Sequence, residues 1–308
     1  MHRNLTLLLL FSLLWIAITH ERELRPAIGN PSLPQAANDR GQYCSRQTCG
    51  ARAKAGSCRP QLSRRIYNAP NPSSHPAGGD WYSPSNYDNS VDEFMRGMVA
   101  RQFISPNGIV RIDKEDVSSQ LLRFTNEPTS LAMLGLFGCI GLIVMSNQAV
   151  WMAHVYEAEI LRASDKVFKK QGIDVLLNGG RNGDMLYGLS GLRKNVFARG
   201  QDPVAVILAP KQASSGFQYE AQMQKIDQMV KKTIGVTPKW VGYVPNRYGS
   251  EESRFDLTCT TTRGKVLVQY QPSNPGSGRS NAEARIWIEG DNWTYAKSWS
   301  PQSNQVHH

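Results

Sequence analysis

The chain has 308 residues and carries 35 Lys or Arg against 25 Asp or Glu, so its formal net charge is +10. A membrane-spanning helix needs about 20 consecutive apolar residues, and the apolar run at positions 131–145 is too short. No longer run follows it, so we expect no transmembrane segment in the mature chain. The basic charge favours anionic partners.

The N-terminus has the layout of a secretory signal peptide. His2 and Arg3 form a short positive start, positions 5–18 are apolar, and small or polar residues follow. We therefore predict that residues 1–19 are a signal peptide and that the protein is secreted. In an exported protein the N-W-T sequon predicts N-glycosylation at Asn292.

The composition of residues 20–90 predicts a disordered arm. These residues are rich in Pro, Ser, Asn, Gly and Arg, and they bury too little apolar surface to offset the entropy lost on ordering. Positions 20–65 hold nine basic and three acidic residues, a net charge of +6. We expect the arm to bind an anionic surface or polymer, such as nucleic acid, acidic polysaccharide or membrane headgroups; the alternative is a solvated basic linker.

Residues 91–300 alternate apolar runs with helical patterns and are numerous enough for one domain with a substantial core. Helices are predicted from Val91 to about Arg101 and at 159–171 and 219–234. The pattern predicts an α+β domain with a mostly antiparallel β-sheet or sandwich and flanking helices, followed by a polar tail at 301–308. The run at 265–271 is β-branched and aromatic enough for a central strand. Strands are predicted at 109–112, 121–124, 140–145, 149–153, 204–208, 239–244, 255–260, 265–271, 284–289 and 293–299.

Two of these strands form a hairpin that carries the candidate chemistry. The apolar runs at 140–145 and 149–153 flank a polar turn around Asn147. In an antiparallel pair of strands, the position numbers of two residues that face each other always add up to the same value. A turn around Asn147 sets this sum at about 293 to 295. Sums of 293 or 295 place Cys139 and His154 on the same face, whereas 294 places them on opposite faces.

Elimination also favours this pair. His154 is the one histidine among six that lies inside the predicted domain, so no metal site is predicted. No G-x-S-x-G motif supports a serine hydrolase, and the glycines at 178–184 match no nucleotide-binding loop, so no cofactor is assigned. In a Cys-His pair the imidazole takes the proton of the thiol and the thiolate attacks a carbonyl carbon. The alternative is that Cys139 and His154 are ordinary core residues.

In an oxidising environment cysteines pair as disulfides, and because the chain has five cysteines, one should be left unpaired. Cys44, Cys49 and Cys58 lie in the arm, whereas Cys139 and Cys259 lie in the domain. One pair within the arm and one link from the arm to Cys259 would leave Cys139 free. A disulfide between Cys139 and Cys259 would abolish thiol chemistry, and the sequence leaves both pairings open.

The segment at 138–157, with Gly138-Cys139, an apolar strand and then His154, resembles the catalytic core of the cysteine-dependent protein glutamine deamidases. These are the cytotoxic necrotizing factor toxins and the bacterial chemoreceptor deamidases. The resemblance implies a β-sandwich with helices, Cys139 as nucleophile, and His154 as general base and then acid. It also implies the backbone N–H groups of Gly138 and Cys139 as oxyanion donors.

The chain departs from this family at one position. Some of these deamidases have a threonine six residues before the cysteine, where this chain has Met133. The third catalytic role is then vacant or filled by a backbone carbonyl. A longer pattern, which includes the A-H-V-Y-E sequence at 153–157 and the strand at 265–271, is similar to secreted fungal proteins of unassigned activity.

We therefore expect a secreted Cys-His amidohydrolase that acts on glutamine side chains of a protein substrate through a thioester. The same thioester also permits transglutaminase activity, because it accepts amines as well as water. The alternative is a non-enzymatic secreted protein that binds anionic polymers or surfaces through its basic arm. A cysteine peptidase is a third, weaker hypothesis.

Overall fold

The computed structural model describes residues 69–76, 80–105, 107–110, 117–180, 187–212, 215–245, 261–290 and 293–306. The predicted signal peptide, most of the predicted arm and the predicted strand at 255–260 lie outside these residues. So do Asn292 and every cysteine except Cys139.

Two long helices match the sequence predictions. Helix α1 is Val91–Ile104, and its N-cap Ser90 accepts a hydrogen bond from the Glu93 N–H at 3.2 Å. Helix α2 is Glu220–Ile234 and ends at Gly235, whose φ is 86°. No helix among the described residues is long and apolar enough to cross a membrane. Shorter helical segments are Pro84–Tyr87, Glu157–Leu161, Asp165–Val167, Phe168–Ile173, Asp174–Asn178, Leu189–Leu192, Arg199–Gln201, Pro275–Ser277 and Ser303–Gln305.

Nine strands among the described residues form two sheets. They are β1 (Val117–Arg123), β2 (Thr129–Met133), β3 (Ile140–Met145), β4 (Ala149–Val155), β5 (Val204–Pro210), β6 (Lys239–Tyr243), β7 (Val266–Gln271), β8 (Ala282–Ile288) and β9 (Trp293–Trp299). The five-stranded sheet has the order β1-β4-β3-β5-β6, and the four-stranded sheet has the order β2-β7-β8-β9.

The α+β prediction is confirmed. All strand pairs are antiparallel except β5 with β6, and the strand predicted as central, β7, lies inside its sheet. One apolar core fills the space between the two sheets. A second lies between the five-stranded sheet and the helical segments that include α2, and a third lies between the four-stranded sheet and α1. The fold is thus a β-sandwich covered by helices on both outer faces.

The predicted hairpin forms with one of the two registers that place its cysteine and histidine on the same face. Gly141 pairs with His154 and Ile140 with Val155, so paired positions sum to 295. Every residue of β3 and β4 is buried. The turn is closed by Ser146, whose hydroxyl accepts from the Ala149 N–H at 3.3 Å and donates to a neighbouring loop.

One local helix prediction was wrong, and one predicted strand is described only in part. The helix predicted at 159–171 is broken, because Ser164 has an extended ψ of 156° and caps a new segment. The strand predicted at 109–112 is reduced, in its described part, to a bridge between Ile109 and Ala132.

The domain also begins earlier than residue 91. Tyr87 is only 1% exposed, and the Gln269 side chain of β7 donates to the Tyr82 carbonyl at 2.8 Å. The predicted boundary is therefore wrong for residues 80–90. The aromatic residues of this segment bury apolar surface against the domain, whereas the predicted arm as a whole has too few apolar residues to do so.

We expect Ser90→Ala to lower the free energy of unfolding by about 1 kcal/mol, because the Glu93 N–H loses its acceptor. Ser90→Asp keeps a capping oxygen and serves as the matched control. Urea denaturation of the three proteins measures the difference. Equal stability of Ser90→Ala and the wild type would show that this cap contributes nothing.

Candidate active site

The structure places Cys139 and His154 in the same interior layer. Cys139 belongs to the core between the two sheets, and it lies directly before β3. His154 is paired with Gly141, two residues after Cys139, so the two side chains hold diagonal positions on one face of the hairpin. Both are 0% exposed. The register that gives the two residues a shared face is present, and both side chains are enclosed.

The surroundings of His154 make it a neutral base. Nε2 lies 3.4 Å from the Gly135 carbonyl oxygen, a long contact in which a carbonyl can only accept, so the proton lies on Nε2. Nδ1 is buried and has no hydrogen-bond partner among the described residues. Burial lowers the pKa of His154 to about 4, although the Gly135 carbonyl opposes the shift. The imidazole is therefore uncharged at neutral pH, with Nδ1 left to accept a proton.

The contact with Gly135 concerns the third catalytic role, which is to orient the imidazole of the histidine. The sequence left that role vacant or assigned it to a backbone carbonyl, and the Gly135 carbonyl is placed to orient the imidazole. Tyr156 also restrains the ring, because its centroid lies 4.5 Å from that of His154 with the ring planes at 66°. No sequence pattern identified Gly135 for this role, because the contact depends on how the loop before β3 crosses between the sheets.

Gly138, the candidate oxyanion donor, is already engaged in this structure. Its N–H donates to the Tyr243 hydroxyl at 2.9 Å, and that hydroxyl donates to the Cys139 carbonyl at 2.8 Å. Its φ is +148°, where L-residues are strained. A Cβ atom at this position would also overlap the Glu157 carboxylate.

Glu157 brings an acidic group to this region, although regular strand alternation from His154 would place it on the opposite face. Strand β4 ends at Val155 and a helical segment starts at Glu157, so the strand alternation stops. The Glu157 side chain is 0% exposed and accepts a hydrogen bond from the Tyr219 hydroxyl. Tyr219 and Tyr243 lie far along the chain from the hairpin, which is why no local pattern revealed them.

The sulfur of Cys139 is disulfide-bonded. Its partner lies outside the described residues, as do Cys44, Cys49, Cys58 and Cys259. A sulfur in a disulfide has no thiolate, so it cannot attack a carbonyl carbon. The structure therefore shows an oxidised state, in which Cys139 and His154 share a face of the hairpin but the sulfur carries no thiolate.

The described residues contain no group of three or more His, Cys, Asp or Glu side chains that could hold a metal ion. The groups that the fold does gather are a sulfur, a neutral imidazole and a buried carboxylate. After reduction of the sulfur, these groups suit acyl transfer through a thioester.

The buried imidazole predicts a pH dependence of stability. Its pKa is about 4 in the folded chain against 6.5 as the ordinary value, so the unfolded chain binds more protons between these values. The contribution of His154 is complete above pH 6.5 and is lost as the pH falls towards 4, by on the order of 3 kcal/mol. We expect His154→Gln to lose less stability than the wild type between about pH 7 and pH 4. Identical pH profiles in denaturant titrations would contradict this.

The crowding at Gly138 predicts a second effect. Gly138→Ala should lower the free energy of unfolding by about 1–3 kcal/mol, because φ is unfavourable and the new methyl group meets Glu157. Gly191→Ala is the control, since a Cβ atom there has nothing within 4 Å. It should change stability by less than about 1 kcal/mol. Thermal melts of both variants test the difference, and equal melting temperatures would count against it.

No protein-family model matches this chain, and a comparison with curated proteins finds no similar sequence. No residue role is therefore carried over from a matched relative. The function of the site must be argued from its own residues, their burial and their contacts.

Proposed function

We propose that this protein is a secreted Cys-His amidohydrolase that deamidates glutamine side chains of a protein substrate once the disulfide of Cys139 is reduced. The observation that carries the proposal is the shared face of Cys139 and His154, with Nδ1 of the histidine unpartnered among the described residues. A buried imidazole with one nitrogen oriented and the other available is suited to remove a proton from a neighbouring thiol.

The proposed reaction begins when Nδ1 of His154 takes the thiol proton of Cys139. The thiolate attacks the carboxamide carbon of glutamine, the imidazolium gives its proton to the leaving nitrogen, and ammonia departs. The resulting thioester is attacked by water, whose proton His154 accepts, and glutamate is released with the thiol restored. An amine in place of water gives the transglutaminase product.

Burial sets the protonation state from which the proton transfer starts. A low pKa keeps His154 in its base form over the whole neutral range. The charged pair formed by thiolate and imidazolium is unfavourable in the dry interior unless it is compensated, so it forms most readily when the substrate arrives. The Gly135 carbonyl favours the imidazolium because it accepts from the protonated ring.

Access and oxidation state set two further requirements. Because Cys139 and His154 are 0% exposed, a glutamine side chain reaches the sulfur only if part of the fold opens. Because the sulfur is disulfide-bonded, a dithiol must first reduce it; the dithiol is oxidised to its own disulfide, and Cys139 and its partner cysteine are both released as thiols. The proposed enzyme is therefore latent in its oxidised form.

The test is deamidation by the full-length secreted protein before and after treatment with dithiothreitol. We expect glutamine-to-glutamate conversion in a proteome extract, detected by peptide mass spectrometry, only after reduction. Cys139→Ser and His154→Gln should each lower the rate by on the order of 1000-fold or more, since the two groups act together. Ser164→Ala, which alters an exposed cap away from the hairpin, is the activity control.

Three outcomes would contradict this proposal. The first is the absence of conversion by the reduced protein, and the second is conversion that persists in Cys139→Ser. The third is peptide-bond cleavage without deamidation, which would indicate a cysteine peptidase.

The disulfide at Cys139 favours a second candidate function. A blocked and buried sulfur is what a non-enzymatic scaffold requires, and the net charge of +6 at positions 20–65 would then bind an anionic polymer or surface. In that case Cys139 stays inert after reduction, and deletion of residues 20–65 abolishes binding to heparin-coated beads.

A further inference from the structure

A groove of about 360 Å³ opens on the outer face of the four-stranded sheet, away from the interior layer that holds Cys139. Its walls come from the last turns of α1, the start of β2 and the segment that precedes Pro84–Tyr87. Gln269 of β7 lies among its lining residues. Its volume is at the lower end of the range found for small-ligand sites.

The aromatic wall of the groove is held in place by the sheet. The side chain of Gln269 donates to the Tyr82 carbonyl at 2.8 Å and accepts from the Trp287 indole at 3.0 Å. Asp80 accepts from the Gln271 side chain at 3.0 Å and forms an ion pair with Arg279. The wall is therefore preformed, and the negative charge of Asp80 is already compensated.

Arg101 gives the groove an uncompensated positive charge. Its guanidinium lies 4.4 Å from the centroid of the Tyr82 ring. No carboxylate of the described residues forms an ion pair with it. The Tyr87 hydroxyl is a second neighbour of this guanidinium, and the positive charge of Arg101 opposes the burial that raises the Tyr87 pKa. A guanidinium has five N–H donors, so those that remain can still donate two parallel hydrogen bonds to a carboxylate. An anionic group of a ligand would supply the partner that the described part of the protein lacks.

The other polar groups of the groove are also uncommitted. The hydroxyls of Ser105, Thr129 and Ser130 and the side-chain amide of Gln102 line the groove and make no hydrogen bond to a described residue. Hydroxyl and amide groups act as both donors and acceptors, which matches the hydroxyl groups of a sugar ring. Met98 and Pro128 are the aliphatic residues in the lining, so the groove offers little to apolar peptide side chains.

We propose that this groove binds an acidic saccharide, in which the carboxylate of a uronate unit pairs with Arg101. The ring hydroxyls bind Ser105, Thr129, Ser130 and Gln102. Trp81 and Tyr82, both half-buried, provide the aromatic wall. The Arg285 guanidinium covers one face of the Trp81 ring and Arg101 covers one face of the Tyr82 ring, so sugar C–H groups would pack on the parts of the rings that remain. The site is separate from the Cys139–His154 pair, so its ligand does not depend on the deamidase proposal.

Titration calorimetry of the full-length protein with digalacturonate tests this site. We expect saturable binding that weakens roughly tenfold or more in Arg101→Gln, since a charge-assisted hydrogen bond is lost. Arg193→Gln, which alters an exposed arginine outside the groove, should bind as the wild type does. The neutral disaccharide galactobiose should bind more weakly than digalacturonate.

A second variant separates the groove from general charge attraction. Thr129→Val with Ser130→Ala leaves the net charge unchanged, and it should still weaken digalacturonate binding several-fold. Thermal melts of each variant confirm folding. Wild-type affinity in both groove variants would overturn the proposal, as would equal binding of galactobiose. Tighter binding of triglutamate than of digalacturonate would replace the saccharide with an acidic peptide.

Discussion

Burial of both faces of the β3–β4 hairpin is the constraint on which the rest of the structure depends. Every side chain of these two strands is enclosed, so the five-stranded sheet needs an apolar cover on each side. The four-stranded sheet covers one face and the helical segments with α2 cover the other. The four-stranded sheet then has its own outer face, which α1 covers in part. The layered order of the molecule follows from apolar surface that must leave water.

The same burial governs the chemistry of the hairpin. An imidazole in a dry layer resists protonation, which keeps His154 neutral with Nδ1 as the lone-pair nitrogen. A carboxylate in the same surroundings needs hydrogen bonds, and Glu157 accepts one from Tyr219. A sulfur there has restricted access to solvent, and in a disulfide it carries no thiolate. Burial, orientation and oxidation state are therefore coupled at this one place.

The outer face of the four-stranded sheet has the opposite character. Where α1 ends, the sheet is left open to solvent. Two glutamine side chains of β7 hold the aromatic residues there: Gln269 donates to the Tyr82 carbonyl, and Gln271 accepts from the Trp81 N–H. Arg101 is then the one charge of the groove without an oppositely charged partner among the described residues. The proposed ligand site and the proposed chemistry thus lie in different layers, one on the outer face of the four-stranded sheet and the other on its enclosed inner face.

The sequence alone determined the class of fold and the local elements. Apolar periodicity, a Ser90 cap and a Gly235 terminus define α1 and α2, and the two apolar runs around Asn147 define the hairpin, because these signals act between residues close in the chain. The sequence also singled out Cys139 and His154, whose spacing permits a shared face in two of three registers.

Only the tertiary structure decided which register forms, because register depends on how side chains pack against the second sheet. It also decided that Gly135, Glu157, Tyr219 and Tyr243 surround the pair and that the sulfur is blocked. It placed residues 80–90 inside the domain and assembled a groove from three separate stretches of chain. These features join residues far apart in sequence, and no local pattern encodes such contacts.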